Sequence, residues 1–107
     1  MIRVEEYITA DGRSPFAEWF DGLSPQAAAK VNTYLTRVGY GNTSSFKPIK
    51  GALQEIRINW GPGYRIYVGR DGRTVIILLG GGTKQRQQKD IQTAAALWDE
   101  YKNRKKG

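Results

Sequence analysis

The stretch GPGYRIYVGRDGRTVIILLGGGTK, residues 61–84, decides the fold because it contains two strand-like runs joined by a tight turn. YRIYVG and TVIILLG are rich in β-branched and aromatic residues, and the RDG between them suits a hairpin. A third run of this kind, LQEIRIN, comes before them, separated by the turn-forming residues WGPG. We therefore predict an antiparallel meander of three strands.

Helical patterns flank this meander on both sides. Ser14-Pro15 and Ser24-Pro25 each begin a run with helical apolar spacing, since serine caps a helix and proline suits its first position. MIRVEEYIT indicates a short edge strand, YGNTSSFKPIKGA a loop, and KQRQQKDIQTAAALWDEYKNRKKG a third helix. The prediction is a single α+β domain over residues 1–107, in the order βααβββα. Its helices are expected to pack on one face of an antiparallel sheet.

Composition excludes several classes of activity. Histidine and cysteine are absent, which excludes Ser–His and Cys–His hydrolases, disulfides and thiolate metal sites, and we expect neither a metal ion nor a cofactor. No apolar run approaches the ~20 residues that span a bilayer, and the N-terminus lacks a signal-peptide core. We therefore expect a cytoplasmic protein without a membrane partner. The net charge of +7, concentrated in the second half, indicates either a nucleic-acid partner or simply a soluble basic protein.

Side chains of two neighbouring strands are predicted to share one uncovered face, because successive residues of a strand point to opposite faces. With the aliphatic residues of both strands in the core, the residues on the other face are Glu55, Arg57, Arg65 and Tyr67. Arginine forks suit phosphate oxygens, whereas a surface ion pair between the glutamate and one arginine is the simpler alternative. Further basic residues expected around the same phosphate backbone are Lys47, Lys50, Lys84, Arg86 and Lys89.

GPGYRIY followed by LLGGG-x-K, Q-x-x-DI and A-x-x-x-W-x-x-Y resembles the RelE/HigB-type toxins of bacterial type II toxin–antitoxin modules, in the group called addiction-module killer proteins. The resemblance covers nearly the whole chain and implies a small RelE-like fold. It also implies a toxin that cleaves messenger RNA at the ribosome without a metal ion. Its partner would be an antitoxin, often a helix-turn-helix protein, in a hetero-oligomer. Two alternatives are a ParE-like inhibitor of DNA gyrase without nuclease activity and a basic RNA-binding module without toxicity.

The resemblance implies catalytic roles for the clustered residues. Arg65 and Arg57 would stabilise the pentacoordinate phosphate, with Lys84 assisting. Glu55 is the candidate general base, and Tyr67 would orient the nucleophile or act as an acid if the cations lower its pKa. QRQQKDI lacks the histidine or tyrosine that such toxins often use near the C-terminus. The nuclease prediction requires both arginines to face solvent, so a guanidinium packed beneath a helix or held by a carboxylate would contradict it.

Overall fold

A computed structural model describes residues 1–106 as five strands, three α-helices and one short 3-10 helix. In chain order these are β1 (Arg3–Glu6), α1 (Pro15–Asp21), α2 (Pro25–Gly39), β2 (Phe46–Lys50), β3 (Leu53–Ile58), β4 (Tyr64–Asp71), β5 (Val75–Thr83), the 3-10 helix (Lys84–Arg86) and α3 (Gln87–Lys106). The predicted α+β class is confirmed. In the part of the chain that the structure describes, no helix combines the length and the hydropathy that crossing a membrane requires.

The first two helices begin where the Ser-Pro pairs predict. The side chain of Ser14 accepts a hydrogen bond from the backbone N–H of Ala17 at 3.1 Å, and Ser24 does the same for Ala27 at 3.2 Å. Each serine thereby satisfies one of the free N–H groups at a helix start. These caps fix the starts of the two helices, which lie between β1 and β2 in the chain.

The sheet has the strand order β1-β5-β4-β3-β2. β3, β4 and β5 form the predicted antiparallel meander. β1 pairs with β5 in parallel, so the prediction of an entirely antiparallel sheet is wrong. The segment predicted as a loop contains β2, an antiparallel strand at the edge next to β3. Pro48 is tolerated there because an edge strand has one side without ladder hydrogen bonds.

Helices cover both faces of the sheet, so the prediction of helices on one face is wrong. α1 and α2 pack on the face that carries Ile76 and Leu78, whereas Trp98 of α3 packs on the face that carries Ile77 and Leu79. All four of these β5 side chains are buried. A strand that is apolar on both faces must be covered on both, and this is why α3 crosses to the second face.

Glycines at the end of β5 let α1 and α3 approach the sheet closely. A methyl group on Gly81 would overlap the ring of Trp19 in α1, and one on Gly82 would overlap the carboxylate of Asp90 in α3. Because Gly82 is the register partner of Arg65, the N-terminal part of α3 lies beside the predicted site.

Candidate functional site

The structure places the predicted site residues of β3 and β4 on one face of the sheet. Glu55 is the register partner of Tyr67, and Arg57 is the register partner of Arg65. Lys47 of the edge strand β2 is paired with Glu55 from the other side and shares that face. The predicted common face is therefore confirmed, while the roles of its residues stay predictions.

These side chains differ sharply in burial, because α3 packs on the same face over β4 and β5. Tyr67 is 1% exposed, Glu55 2% and Arg65 9%, whereas Arg57 and Lys47 are exposed. The prediction of one uncovered surface is thus wrong for the three buried residues. It holds for the outer half of the face, towards the edge strand β2.

Glu55 holds both arginines. Its Oε1 lies 3.1 Å from Nε and 3.0 Å from Nη2 of Arg57, and its Oε2 lies 3.3 Å from Nε of Arg65. The last distance is that of an ion pair, but its angles do not make a hydrogen bond. Two positive charges compensate the buried carboxylate, which would otherwise be strongly destabilising. The prediction that both guanidinium groups are free in solvent is wrong, and so is the mechanism in which two free arginines clamp the phosphate.

Tyr67 is not set up as an acid. Burial of its phenol, followed by the negative charges of Glu55 and Asp90, raises the pKa of Tyr67 to about 12, and the opposing effect of Arg65 is smaller. The hydroxyl group is buried and has no hydrogen-bond partner among residues 1–106. The condition under which Tyr67 could act as an acid, a pKa lowered by the neighbouring cations, is therefore not met.

The remaining predicted cations lie at two ends of the sheet. Lys84, Arg86 and Lys89 are exposed on the 3-10 helix and the first turn of α3, directly after the end of β5. Thr83 at that end is the register partner of Tyr64, so these cations leave the sheet near the Arg57–Arg65 pair. Lys50 is also exposed but is paired with Leu53 at the opposite end of β3. The structure therefore separates Lys50 from the rest of the set.

A basic groove opens beside Arg57. It has a volume of about 360 Å³ and is lined by strand residues, α2 residues and the loop between α2 and β2. The lining residues are Tyr34, Arg37, Asn42, Ser44, Ser45, Lys47, Arg57 and Asn59. They include three cations and no carboxylate. We call this set the basic groove. It can attract and hold a phosphate, because its three cations outnumber the one carboxylate, that of Glu55, which contacts Arg57 from outside the groove.

Sequence reasoning missed Arg37 and the α2 side of the basic groove. The only signal was Tyr34 three residues before Arg37, which places both side chains on one face of a helix. Nothing local indicated that this part of α2 lies beside the β2–β3 hairpin.

As for a metal centre, residues 1–106 contain no group of three or more histidine, cysteine, aspartate or glutamate side chains that could hold a metal ion.

Comparison with known proteins gives the family. Residues 18–102 match the family described as Phage derived protein Gp49-like (DUF891), which is most of the chain. The chain belongs to the Gp49-like family. An uncharacterized protein of Haemophilus influenzae is similar as well, with 37% identity over 86 residues, 79% of this chain and 87% of the relative.

The Gp49-like family is phage-derived, toxin-like and associated with toxin–antitoxin modules, and a toxin-like protein implies an antitoxin as its partner. The matched range includes the basic groove, Glu55, Arg65 and the cations that follow β5. The candidate site therefore lies within the family's own domain.

Proposed function

We propose that this Gp49-like protein is the toxin of a type II toxin–antitoxin module and that it acts in the cytoplasm as a metal-independent endoribonuclease on messages at the ribosome. Family membership supports the toxin role. The observation that carries the RNA target is the basic groove, where Arg37, Lys47 and exposed Arg57 line one opening without a carboxylate. Phosphate contacts of this kind supply most of the affinity of a protein for a nucleic-acid backbone.

The nuclease predicted from the sequence required two free arginines and fails in that form, because Glu55 holds both guanidinium groups. The endoribonuclease proposed above requires only one accessible guanidinium, that of Arg57. Its side chain is 43% exposed while Glu55 holds its Nε and Nη2 edge, so the guanidinium is fixed but still accessible from the groove. A fixed cation loses little conformational entropy when it binds the scissile phosphate, and it can stabilise charge that develops there. Arg65 is a positioning residue, since it contacts Glu55 from the buried side.

The groove itself offers little acid–base chemistry. Cleavage requires a proton to leave the 2′-OH as its oxygen attacks phosphorus, and another to reach the departing 5′-oxygen. Glu55 is buried and already holds two arginines, and the pKa of Tyr67 is raised to about 12. Solvent water would therefore accept the 2′-OH proton and donate one to the 5′-oxygen, which gives a 2′,3′-cyclic phosphate and a free 5′-hydroxyl. Charge stabilisation by Arg57 and orientation of the message by the ribosome would supply most of the acceleration. We expect free RNA to be a poor substrate.

The test is inducible expression followed by mapping of transcript ends by primer extension. Wild type should arrest growth and produce cuts within translated codons, and Arg57→Ala should abolish both. Arg73→Ala removes an exposed arginine from the turn after β4, at the other end of the sheet, and should behave as wild type. Growth arrest with intact messages would contradict the endoribonuclease proposal. Co-expression of a neighbouring helix-turn-helix reading frame should restore growth.

A second candidate function is ParE-like inhibition of DNA gyrase without nuclease activity. The observation that favours it is the ion pairing of both arginines by Glu55, since an inhibitor of this kind does not need two free arginines. Its signature is double-strand breaks in chromosomal DNA during growth arrest, with transcripts left uncut. The expression experiment distinguishes the two functions once DNA integrity is measured in the same cultures.

A further inference from the structure

The α2 wall of the basic groove, Tyr34 and Arg37, contributes a cation to the proposed RNA-binding surface but no group to the cleavage step. Arg37 lies over the ring of Tyr34, with its Cζ 5.4 Å from the ring centroid, and both residues line the groove. Arg37 is exposed and is in none of the ion pairs found within residues 1–106. A cation over an aromatic face is attracted to it, so Tyr34 steadies the guanidinium at this wall.

Polar side chains with unused hydrogen-bonding capacity surround this pair. Asn42 accepts a hydrogen bond from the backbone N–H of Ser44 at 3.0 Å through Oδ1, which leaves its two N–H donors for another partner. The side chains of Ser44, Ser45 and Asn59 make no hydrogen bond to another residue among those described. Donors and acceptors of these types match the edges of nucleobases.

We propose that this wall is a nucleotide subsite, in which one base of single-stranded RNA stacks on the Arg37 guanidinium while the adjoining phosphate lies on Arg57 and Lys47. The inference rests on the proposed function and deepens it, because it assigns base recognition to a residue outside the cleavage chemistry. The groove volume of about 360 Å³ is in the range of pockets that hold small ligands. An unpaired base can unstack from its neighbours and stack on an arginine plane, whereas a base within an A-form helix cannot. Arg37 would then contribute to the sequence preference of the toxin.

The test measures binding of the full-length chain to a single-stranded RNA pentamer by fluorescence anisotropy. The pentamer carries 2′-O-methyl groups, which remove the nucleophile and prevent cleavage. Arg37→Ala and Arg37→Lys should each weaken binding by roughly tenfold, since a lysine keeps the charge but has no plane on which a base can stack. Arg73→Ala is the matched control and should stay within about twofold, apart from a small loss in overall attraction. Circular dichroism checks that each variant is folded.

A set of pentamers, each with one abasic nucleotide, locates the base. At one position, loss of the base should weaken binding by wild type. On that abasic pentamer, Arg37→Lys should bind as tightly as wild type does. Full rescue by Arg37→Lys, or an equal defect of Arg37→Ala on every pentamer, would overturn the subsite and leave Arg37 as a phosphate contact. Normal RNA binding with lost antitoxin binding would also overturn it and assign the wall to a protein partner. If wild type binds no pentamer but still cuts messages in the expression experiment, this inference is overturned and the proposed function stands; if it also leaves messages intact, the proposed function fails as well. Unaffected Arg37 variants overturn only this inference.

Discussion

Replacement of Glu55 by glutamine should lower the free energy of unfolding far more than replacement of an exposed carboxylate does. The substitution keeps the size of the side chain but removes the charge that compensates Arg65, whose side chain is only 11% exposed. Removal of one partner from a buried ion pair costs roughly 3–5 kcal/mol. The contact with Arg57 adds little, because that side chain is 43% exposed and such pairs are worth about 1 kcal/mol or less.

We expect Glu55→Gln to lower the free energy of unfolding by about 3 kcal/mol, since an amide oxygen can still accept one hydrogen bond. For a domain of this size the corresponding fall in Tm is about 12 °C or more. Asp21→Asn, at the exposed end of α1, is the matched control and should change stability by less than about 0.5 kcal/mol. Urea unfolding followed by circular dichroism measures both.

A double-mutant cycle separates the ion pair from other effects of the substitution. Arg65→Met in the Glu55→Gln background removes both buried charges, so the double variant should be more stable than the sum of the single losses predicts, by about 2 kcal/mol. The opposite outcome for Glu55 is also clear. A Glu55→Gln protein that loses less than about 1 kcal/mol of stability but all cleavage activity would refute the counter-ion role and restore the general-base role.

Three further predictions concern packing and titration. Gly69→Ala should lower the free energy of unfolding by about 1–3 kcal/mol, because its methyl group would overlap the ring of Trp98. Gly39→Ala, whose methyl would lie 3.9 Å from its nearest neighbour, should change it by less than about 1 kcal/mol in urea unfolding. Tyr67→Phe should retain growth arrest and be at least as stable as wild type at pH 7, since it removes a buried hydroxyl group without a partner. The pKa of this tyrosine is raised from 10.0 to about 12, so wild type should lose stability as the pH rises through that window, and thermal melts of Tyr67→Phe should show a smaller loss. The pKa of Asp71 is lowered from 3.8, chiefly by hydrogen bonds from a lysine and a tyrosine of α3. Its contribution to stability is therefore present above pH 3.8 and lost as the pH falls through the lowered value, and acid melts of Asp71→Asn should show a shallower decline.

Local signals were enough for the elements that the sequence predicted correctly. Two Ser-Pro caps located the starts of α1 and α2, and turn residues between apolar runs gave the meander. β2 was missed because its sequence, FKPIK, contains a proline and two lysines and shows little alternation. The parallel pairing of β1 with β5 joins distant parts of the chain, so no local pattern specifies it.

The strand pattern likewise predicted which residues of the candidate site share a face, but not which of them are buried. Period two correctly placed Glu55, Arg57, Arg65 and Tyr67 on one face. The same pattern contains no information about what covers that face, and α3 covers part of it. Burial then changes the chemistry, because a buried glutamate beside two arginines is a counter-ion and a buried tyrosine has a raised pKa.

The ion pairs that contradict two free arginines also give the groove a fixed cation. A free arginine on a surface samples many rotamers, and binding a phosphate must restrict them at a cost of about 2 kcal/mol. Arg57 is already restricted, because its Nε and Nη2 contact Glu55, and Glu55 is itself restricted by Arg65. The contacts run from buried Arg65 through buried Glu55 to Arg57 at the groove. The orientation of the exposed Arg57 guanidinium therefore depends on two buried residues. Loss of Arg65 should therefore weaken RNA binding at the groove without any contact between Arg65 and RNA, and this separates positioning from direct phosphate binding.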